Sequence, residues 1–165
     1  VIKDVKAGRA EIGFSFEHEQ MEGLQFHPIL TDNFIAVLPA NHPLCEHQIL
    51  SWSQIALYPF VAMNKGSAIR QWIDAFMDIN HLSLNIVVEA SQLATLGQFV
   101  KHDLGVSVVP ALCQEQMLSK DLVCLKIHQS GLRKRVGIIR QKNGNLSSVA
   151  TSFWQWTVNN ISYPK

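Results

Sequence analysis

The sequence predicts an α/β fold with mostly parallel sheets. From Phe60 onward, short apolar segments typical of strands alternate with amphipathic segments typical of helices, which is the pattern of parallel strands joined by helical crossovers. Residues 106–109 are apolar except for Ser107 and are followed by Pro110, as expected for a strand buried on both faces. In residues 67–80, apolar side chains recur at spacings of three and four, so this segment is predicted to be an amphipathic helix.

The remaining elements follow from the same periodicities and from turn-forming residues. In addition to 106–109, the predicted strands are 11–16, 24–30, 33–38, 60–63, 84–89, 122–127 and 135–140. In addition to 67–80, the predicted helices are 1–7 with Gly8 at the C-cap, 51–57 with Ser51 as N-cap, 91–102 with Ser91 as N-cap, 111–118 and 147–161.

The composition describes a folded domain with little net charge. The chain has 165 residues, which at roughly 150 residues per domain corresponds to one domain or two small interwoven lobes. Hydrophobic residues make up 47% and charged residues only 16%, a composition that excludes intrinsic disorder. The net charge of +1 argues against a domain whose main task is to bind nucleic acid, and against a polybasic membrane-surface module.

The cysteines and the hydropathy pattern indicate the compartment. Cys45, Cys113 and Cys124 form no CxxC motif, and their odd number favours a reducing compartment over a disulfide framework. No apolar run approaches the roughly 18 to 20 residues of a membrane span, and charged residues precede any signal-peptide core. We therefore expect a cytoplasmic protein with no membrane partner. Because the sequence begins without methionine inside a predicted helix, we expect a fragment of a longer chain.

Two predicted strand-to-helix turns, at Ser67 and Ser91, suggest a binding site. If the strands are parallel, both helices present unpaired backbone N–H groups and the positive end of the helix dipole at one edge of the sheet. This arrangement favours a small anion, most simply a carboxylate. The competing interpretation is that both serines only cap their helices. The side chains and the glycine expected around the anion are Asn64, Gly66, Ser67, Ser91 and Gln92.

The sequence offers no constellation for catalysis. It lacks a nucleophile elbow, a P-loop, a dinucleotide-binding GxGxxG and an HExxH zinc motif. One cluster resembles metal ligands, but its spacing belongs to a turn and does not fit a four-ligand zinc site; its members are His42, Cys45, Glu46 and His47. We therefore expect no enzymatic activity, no catalytic residue, no cofactor and no metal.

Two further segments each leave two interpretations open. Five of the 14 basic residues lie between positions 133 and 142, and the absence of interleaved aromatic residues favours an exposed strand end over a phosphate-binding patch. In the closing helix, Phe153, Trp154 and Trp156 are too apolar for one narrow stripe, so this helix is either deeply packed or part of an interface.

Four segments in order resemble motifs of the effector-binding domain of LysR-type transcriptional regulators. Together they extend over nearly the whole chain, which is far more specific than any one of them. The segments are GRAEIG at 8–13 (family pattern GxxD, Ile or Leu, then Ala or Gly), LPANHPL at 38–44 (LPxxHPL), YPFV at 58–61 followed by Gly66, Ser67 and Arg70 (PFI…GS..R), and LGVSVVP at 104–110 (GLGVALLP). Asp103 departs from the pattern, because the family usually has glycine there.

The resemblance implies a two-lobed fold of the type II periplasmic-binding-protein class, with a small effector in the cleft between the lobes. It implies lobe I at 1–58 and 139–165, and lobe II at 59–138. Lobe I would be incomplete, because the family's first strands have no counterpart in this sequence. The family's effector contacts match Ser15, Phe16, Asn64, Ser67, Ser91 and Gln92.

The function implied by the resemblance is ligand sensing in the control of DNA-dependent transcription. The expected partners are a small-molecule effector and further copies of the chain. DNA would be contacted only through an N-terminal helix-turn-helix domain absent from this sequence. The alternative is a solute-binding protein of a transport system with similar architecture, and an enzyme is a third possibility.

Overall fold

The computed structural model describes residues 1–18, 21–128 and 132–161. Their strands are β1 (Ile12–Phe16), β2 (Leu24–Asp32), β3 (Phe34–Leu38), β4 (Ile49–Leu50), β5 (Pro59–Met63), β6 (Asn85–Ala90), β7 (Ser107–Pro110), β8 (Val123–Ile127) and β9 (Lys134–Gln141). Their α-helices are α1 (Ile2–Lys6), α2 (Trp52–Ile55), α3 (Ala68–Ile79), α4 (Leu93–Lys101), α5 (Gln114–Leu118) and α6 (Ser148–Asn160), and 3₁₀ turns occupy Pro43–Glu46 and Ala111–Cys113.

The chain forms two compact units. Unit 1 comprises Val1–Asp32 with Lys134–Lys165, and unit 2 comprises Asn33–Arg133. These boundaries differ from the predicted lobes because strand pairing decides membership. β3 pairs with β7 and β8, so residues 33–58 belong to unit 2, whereas β9 pairs with β1 and β2, so residues 134–138 belong to unit 1.

Unit 1 is a three-stranded sheet of order β1-β9-β2, and both of its strand pairs are antiparallel. One face packs against α1 through a core of Val5, Leu24 and Ile139. Successive side chains of a strand point to opposite faces, so Arg140 faces the other way, where it lies over the ring of Trp154 on α6. The two helices therefore cover opposite faces of this small sheet.

Unit 2 is built on a mixed sheet. β5 and β6 are parallel, and a parallel bridge between Phe60 and Val106 joins β5 to the segment leading into β7. β3 runs antiparallel to β7 and β8, and β4 is parallel to β8. The resulting order is β6-β5-β7-β3-β8-β4, in which only β3 among the described strands of this unit runs in the opposite direction. The α/β prediction is confirmed. Strand pairing is antiparallel in unit 1 and both parallel and antiparallel in unit 2.

Both faces of this sheet are buried. Along β3, Phe34, Ala36 and Leu38 belong to one hydrophobic cluster and Ile35 and Val37 to the other. α3 contributes Ile73 and Met77 to the first cluster, and α4 contributes Leu96 and Val100 to the second. This two-sided burial explains why the sequences of the central strands are mostly apolar and do not alternate between apolar and polar residues.

Other differences between prediction and structure are local. The predicted elements are present with ends shifted by a few residues, and the predicted helix 111–118 is divided into a 3₁₀ turn and α5. The 3₁₀ turn Pro43–Glu46 and β4 were not predicted, because they are too short to show a period. The C-cap of α1 is Ala7 and not Gly8 as predicted, but Gly8 follows it with a left-handed φ of 69°, the conformation in which glycine commonly ends a helix. Among the described residues, no helix is both long and apolar enough to cross a membrane.

Gly105 permits the close approach that joins β5 to β7. Its φ is 153°, and a Cβ built on it would lie 2.3 Å from the carbonyl oxygen of Pro59. That same carbonyl accepts a hydrogen bond of 2.9 Å from the amide of Val106. A side chain at position 105 would therefore push apart the two backbones that link the halves of the sheet.

We expect Gly105→Ala to lower the free energy of unfolding by about 2 kcal/mol or more, because backbone must move to relieve the clash. The matched control is Gly66→Ala in the same unit, where a Cβ would meet open space. Urea unfolding followed by circular dichroism measures both variants. Equal midpoints for the two would contradict this account of Gly105.

Candidate functional site

The carboxyl ends of β5, β6 and β7 lie at one edge of the unit 2 sheet, which we call the carboxyl edge. β5 and β6 pair in parallel up to Met63 and Ala90, and β7 continues the parallel segment that begins at Val106. Just beyond the strands, the amide of Asn64 donates a hydrogen bond of 2.9 Å to the carbonyl of Ala90. The starts of α3 and α4 therefore both lie at this edge, as the anion-site prediction requires, although the two helices pack on opposite faces of the sheet.

Ser67 occupies the N-cap of α3. Its hydroxyl oxygen accepts a hydrogen bond of 3.1 Å from the amide of Arg70, and its own amide donates to the carbonyl of Asn64 at 3.0 Å. Asn64 and Gly66 are exposed, and Ser67 is half-buried. Nothing in the protein requires glycine at position 66, because a Cβ there would point into open space. The loop thus leaves the first turn of α3 open to a small molecule.

Ser91 does not cap α4, and that prediction was wrong. The N-cap is Gln92, whose extended backbone (φ −133°) precedes the first helical residue Leu93, and no side chain caps this helix. The reason is that β6 continues to Ala90, which leaves Ser91 one residue too early for the N-cap. Ser91 and Gln92 are exposed, and their side chains make no hydrogen bond to described residues. Both are therefore available to a ligand.

Arg70 anchors the helix start to the sheet, a role that the residue pattern did not reveal. Its guanidinium is buried and donates to the Met63 carbonyl at 3.2 Å, to Glu89 at 2.7 Å and to Asp74 at 2.8 Å. Burial alone lowers the pKa of Arg70, but the hydrogen bonds and charges of Glu89 and Asp74 outweigh it and raise the pKa above its ordinary value. The charge of Arg70 is therefore neutralised within the protein.

Two exposed cations lie farther along the same edge. β8 is parallel in direction to β5, so Lys126 near its end lies at the carboxyl edge, where Lys126 and Arg133 line a recess of about 350 Å³. Amides of Asn33 and Gln114 also line it, and no carboxylate from the described part of the chain does. Neither cation forms an ion pair with the described part of the chain. For Arg133 the sequence signal is the charge run at 133–142, which favours an exposed strand end, whereas Lys126 lies outside that run.

That charge run is divided between the two units. Arg133 lies in unit 2, whereas Lys134, Arg135, Arg140 and Lys142 belong to unit 1. Arg135 forms an ion pair with Glu17, and Arg140 donates to Gln25 at 2.8 Å. The run is therefore not a single patch, because β9 alternates its side chains between the two faces of its sheet.

The two remaining predicted site residues, Ser15 and Phe16, lie on β1 in unit 1. The hydroxyl of Ser15 donates to the carbonyl of Phe16 at 2.9 Å, and both side chains are half-buried. Their participation in one site with the unit 2 residues stays a prediction.

A second cavity of about 600 Å³ lies at the opposite edge of the unit 2 sheet, where β5 begins and α4 ends. His42 and Tyr58 pair edge to face there with ring centroids 4.5 Å apart. Burial lowers the pKa of His42, and the charge of Asp103 partly opposes this shift. Asp103 adopts a left-handed φ of 59°, which accounts for glycine being usual at this position of the family.

Two members of the cluster that resembles metal ligands, His42 and His47, make local contacts. The ring Nδ1 of His42 accepts a hydrogen bond from the amide of Leu44 at 3.2 Å. His47 Nε2 lies 3.5 Å from the amide nitrogen of the Gln54 side chain. Over residues 1–18, 21–128 and 132–161, no group of three or more His, Cys, Asp or Glu side chains is arranged to hold a metal ion. All three cysteines are free.

Comparison with known proteins decides the family. Residues 1–161 match the family model of the LysR substrate binding domain. The chain belongs to this family. The predicted resemblance is thereby confirmed, and so is the type II periplasmic-binding-protein-like fold.

Relatives of this LysR substrate-binding domain are transcriptional regulators. It is 22% identical over 158 residues to the uncharacterized HTH-type transcriptional regulator YbhD of Escherichia coli, covering 96% of this chain and 50% of the relative. It is 28% identical over 126 residues to the HTH-type transcriptional activator CmpR of Synechocystis, covering 75% of this chain and 41% of the relative. The chain thus spans about half the length of the curated relatives it matches.

Solved structures show the same fold. The effector-binding domain of QuiR in complex with shikimate has a TM-score of 0.86 at 18% identity, covering 97% of this chain and 76% of that one. The Synechocystis CcmR regulatory domain in complex with 2-PG has a TM-score of 0.83 at 16% identity, covering 97% of this chain and 77% of that one. At these identities the likeness concerns the fold alone.

The two serines are expected to differ in their effect on stability. Ser67→Ala removes the cap of α3 and should lower the free energy of unfolding by about 1 kcal/mol. Ser91→Ala removes no hydrogen bond to a described residue and should change it by less than about 0.5 kcal/mol. Chemical denaturation of both variants beside the parent chain measures the difference. A loss at Ser91 as large as that at Ser67 would contradict the assignment of Gln92 as N-cap.

Proposed function

We propose that this LysR substrate-binding domain senses a small organic anion, most simply a carboxylate, and thereby regulates transcription of DNA. The observation that carries the proposal is that two helices begin at the carboxyl edge. The contact set that we assign to the ligand is Ser15, Phe16, Asn64, Gly66, Ser67, Ser91 and Gln92. The position between two lobes, which the family resemblance implies, is part of this proposal.

The electrostatics of the carboxyl edge support an anion. Each helix start carries the equivalent of roughly half a positive charge and several unpaired amides. α3 and α4 are 12 and 9 residues long, so both have a developed dipole. Exposed Lys126 and Arg133 add positive charge along the edge, while the exposed hydroxyl of Ser91 and amide of Gln92 supply neutral hydrogen bonds. Ligands of α/β sheets generally bind beyond the carboxyl ends of the strands.

The relatives support a small-molecule effector without identifying it. QuiR is described with shikimate, an organic acid, and CcmR with 2-PG. A ligand shifts a conformational equilibrium only by its difference in affinity between two states. We therefore propose that the effector acts by binding one arrangement of the domain better than another.

We propose that the domain works in the cytoplasm as part of a homo-oligomer that contacts DNA through a helix-turn-helix domain outside this chain. An apolar stripe on α6 supports self-association. Val149, Phe153 and Trp156 follow one another at spacings of four and three and are 77%, 42% and 58% exposed. Large exposed apolar stripes are typical of interaction surfaces.

Calorimetric titration of the full chain with shikimate, other hydroxy acids, keto acids and amino acids tests the proposal. Binding is expected for at least one carboxylate and is expected to be absent for its uncharged methyl ester. Gly66→Ala should weaken that binding by about tenfold or more, because the added methyl group occupies space that the ligand needs.

Gly66→Ala is an informative variant because a Cβ at this position meets no atom of the described residues within 4 Å. Its unfolding midpoint should therefore equal that of the parent chain, which separates loss of binding from loss of folding. Equal affinity of acid and ester, or turnover of the bound acid, would refute the proposal.

A further inference from the structure

Unit 1 contains a recess lined by a cation that has no acidic partner among the described residues. The recess encloses about 240 Å³ between β9 and α6, and Arg140 and Trp154 are among its lining residues. The guanidinium carbon of Arg140 lies 4.9 Å from the centre of the Trp154 ring. Its Nε donates to the Gln25 side chain at 2.8 Å. The guanidinium is thus held in place by a neutral amide and an aromatic face, both of which leave its charge intact.

The two terminal nitrogens of Arg140 make no hydrogen bond to the described residues. No carboxylate of residues 1–18, 21–128 or 132–161 lines the recess. The described acidic groups of unit 1 with recorded partners are engaged elsewhere: Asp4 pairs with Arg9, Glu11 with Ser147 and Glu17 with Arg135. An arginine that is fixed in position and lacks a counter-ion presents the fork geometry that matches an oxyanion.

α6 lines the recess with a row of neutral hydrogen-bonding groups. Thr151, Gln155 and Asn159 are spaced four residues apart and therefore share one face of the helix. None of these side chains forms a hydrogen bond with another described residue. Leu146 and Val158 provide apolar surface beside them. The recess therefore offers a cation, a row of unpaired donors and a small apolar wall.

We propose that this recess is a second binding site, separate from the carboxyl edge, for a small carboxylate with a short apolar body. The carboxylate accepts hydrogen bonds from the terminal nitrogens of Arg140. The polar groups of α6 donate hydrogen bonds to the remaining lone pairs of its oxygens, and Leu146 and Val158 contact the apolar body. None of these residues belongs to the contact set of the proposed function, so the inference does not depend on that function.

The test is a titration of the isotope-labelled full chain with benzoate, followed in amide and indole N–H spectra. The neutral isostere benzamide is the ligand control, and acetate and inorganic phosphate distinguish an apolar carboxylate from a general oxyanion. We expect benzoate to shift the Trp154 indole resonance, assigned with Trp154→Phe, together with the Thr151 and Gln155 signals. Benzamide should not shift them, and acetate and phosphate should bind more weakly than benzoate.

Arg140→Gln should weaken benzoate binding by about tenfold or more. Arg135→Gln is the matched control, because it removes the same charge from the opposite face of β9, where Arg135 pairs with Glu17. Its affinity for benzoate should equal that of the parent chain. Thr151→Val, which keeps the side-chain shape, should weaken binding by a few-fold and reports on the α6 row.

Several outcomes would overturn the proposal. They are a Trp154 resonance unmoved at millimolar benzoate, equal binding of benzamide, phosphate binding better than benzoate, and unchanged affinity in Arg140→Gln. Shifts at the amides of Gly66, Ser67 and Ser91 report the carboxyl edge independently in the same spectra. A failure of this site and a failure of the proposed function are therefore distinguishable.

Discussion

The parallel pairing of β5 with β6 is the constraint on which the candidate site depends. Parallel strands end at the same edge, so the two helices that follow must begin there. The hydrogen bond between the Asn64 amide and the Ala90 carbonyl extends this alignment one residue beyond the strands. Without that pairing, the helix starts would have no common direction, and neither end alone would attract an anion strongly.

Arg70 maintains this arrangement, and its guanidinium is therefore not available to bind a ligand. Its buried guanidinium joins the end of β5, through the Met63 carbonyl, to Glu89 near the end of β6. A buried cation is tolerated only when its partners compensate its lost hydration, and here two carboxylates and a carbonyl do so. The arginine thus positions the helix start, and in the proposed site the attraction for an anion comes from backbone amides and from the exposed Lys126 and Arg133.

The near-neutral net charge conceals two locally positive regions. Fourteen basic residues almost balance 13 acidic ones over the chain. Yet Lys126 and Arg133 in unit 2 and Arg140 in unit 1 have no acidic partner among the described residues, whereas Arg9, Arg70 and Arg135 do. Net charge governs solubility and nonspecific attraction, but ligand recognition depends on which individual charges remain uncompensated.

The sequence by itself determined the α/β class, nearly every helix and strand, the family, and the start of α3 at Ser67, because periodicity, turn residues and short motifs are local properties. Tertiary structure decided the rest. Strand pairing over long sequence separations placed residues 33–58 in unit 2 and divided the basic run at 133–142 between two units. It also extended β6 to Ala90, which moved the N-cap of α4 from Ser91 to Gln92. Such pairings depend on residues far apart in the chain, and a local pattern carries no record of them.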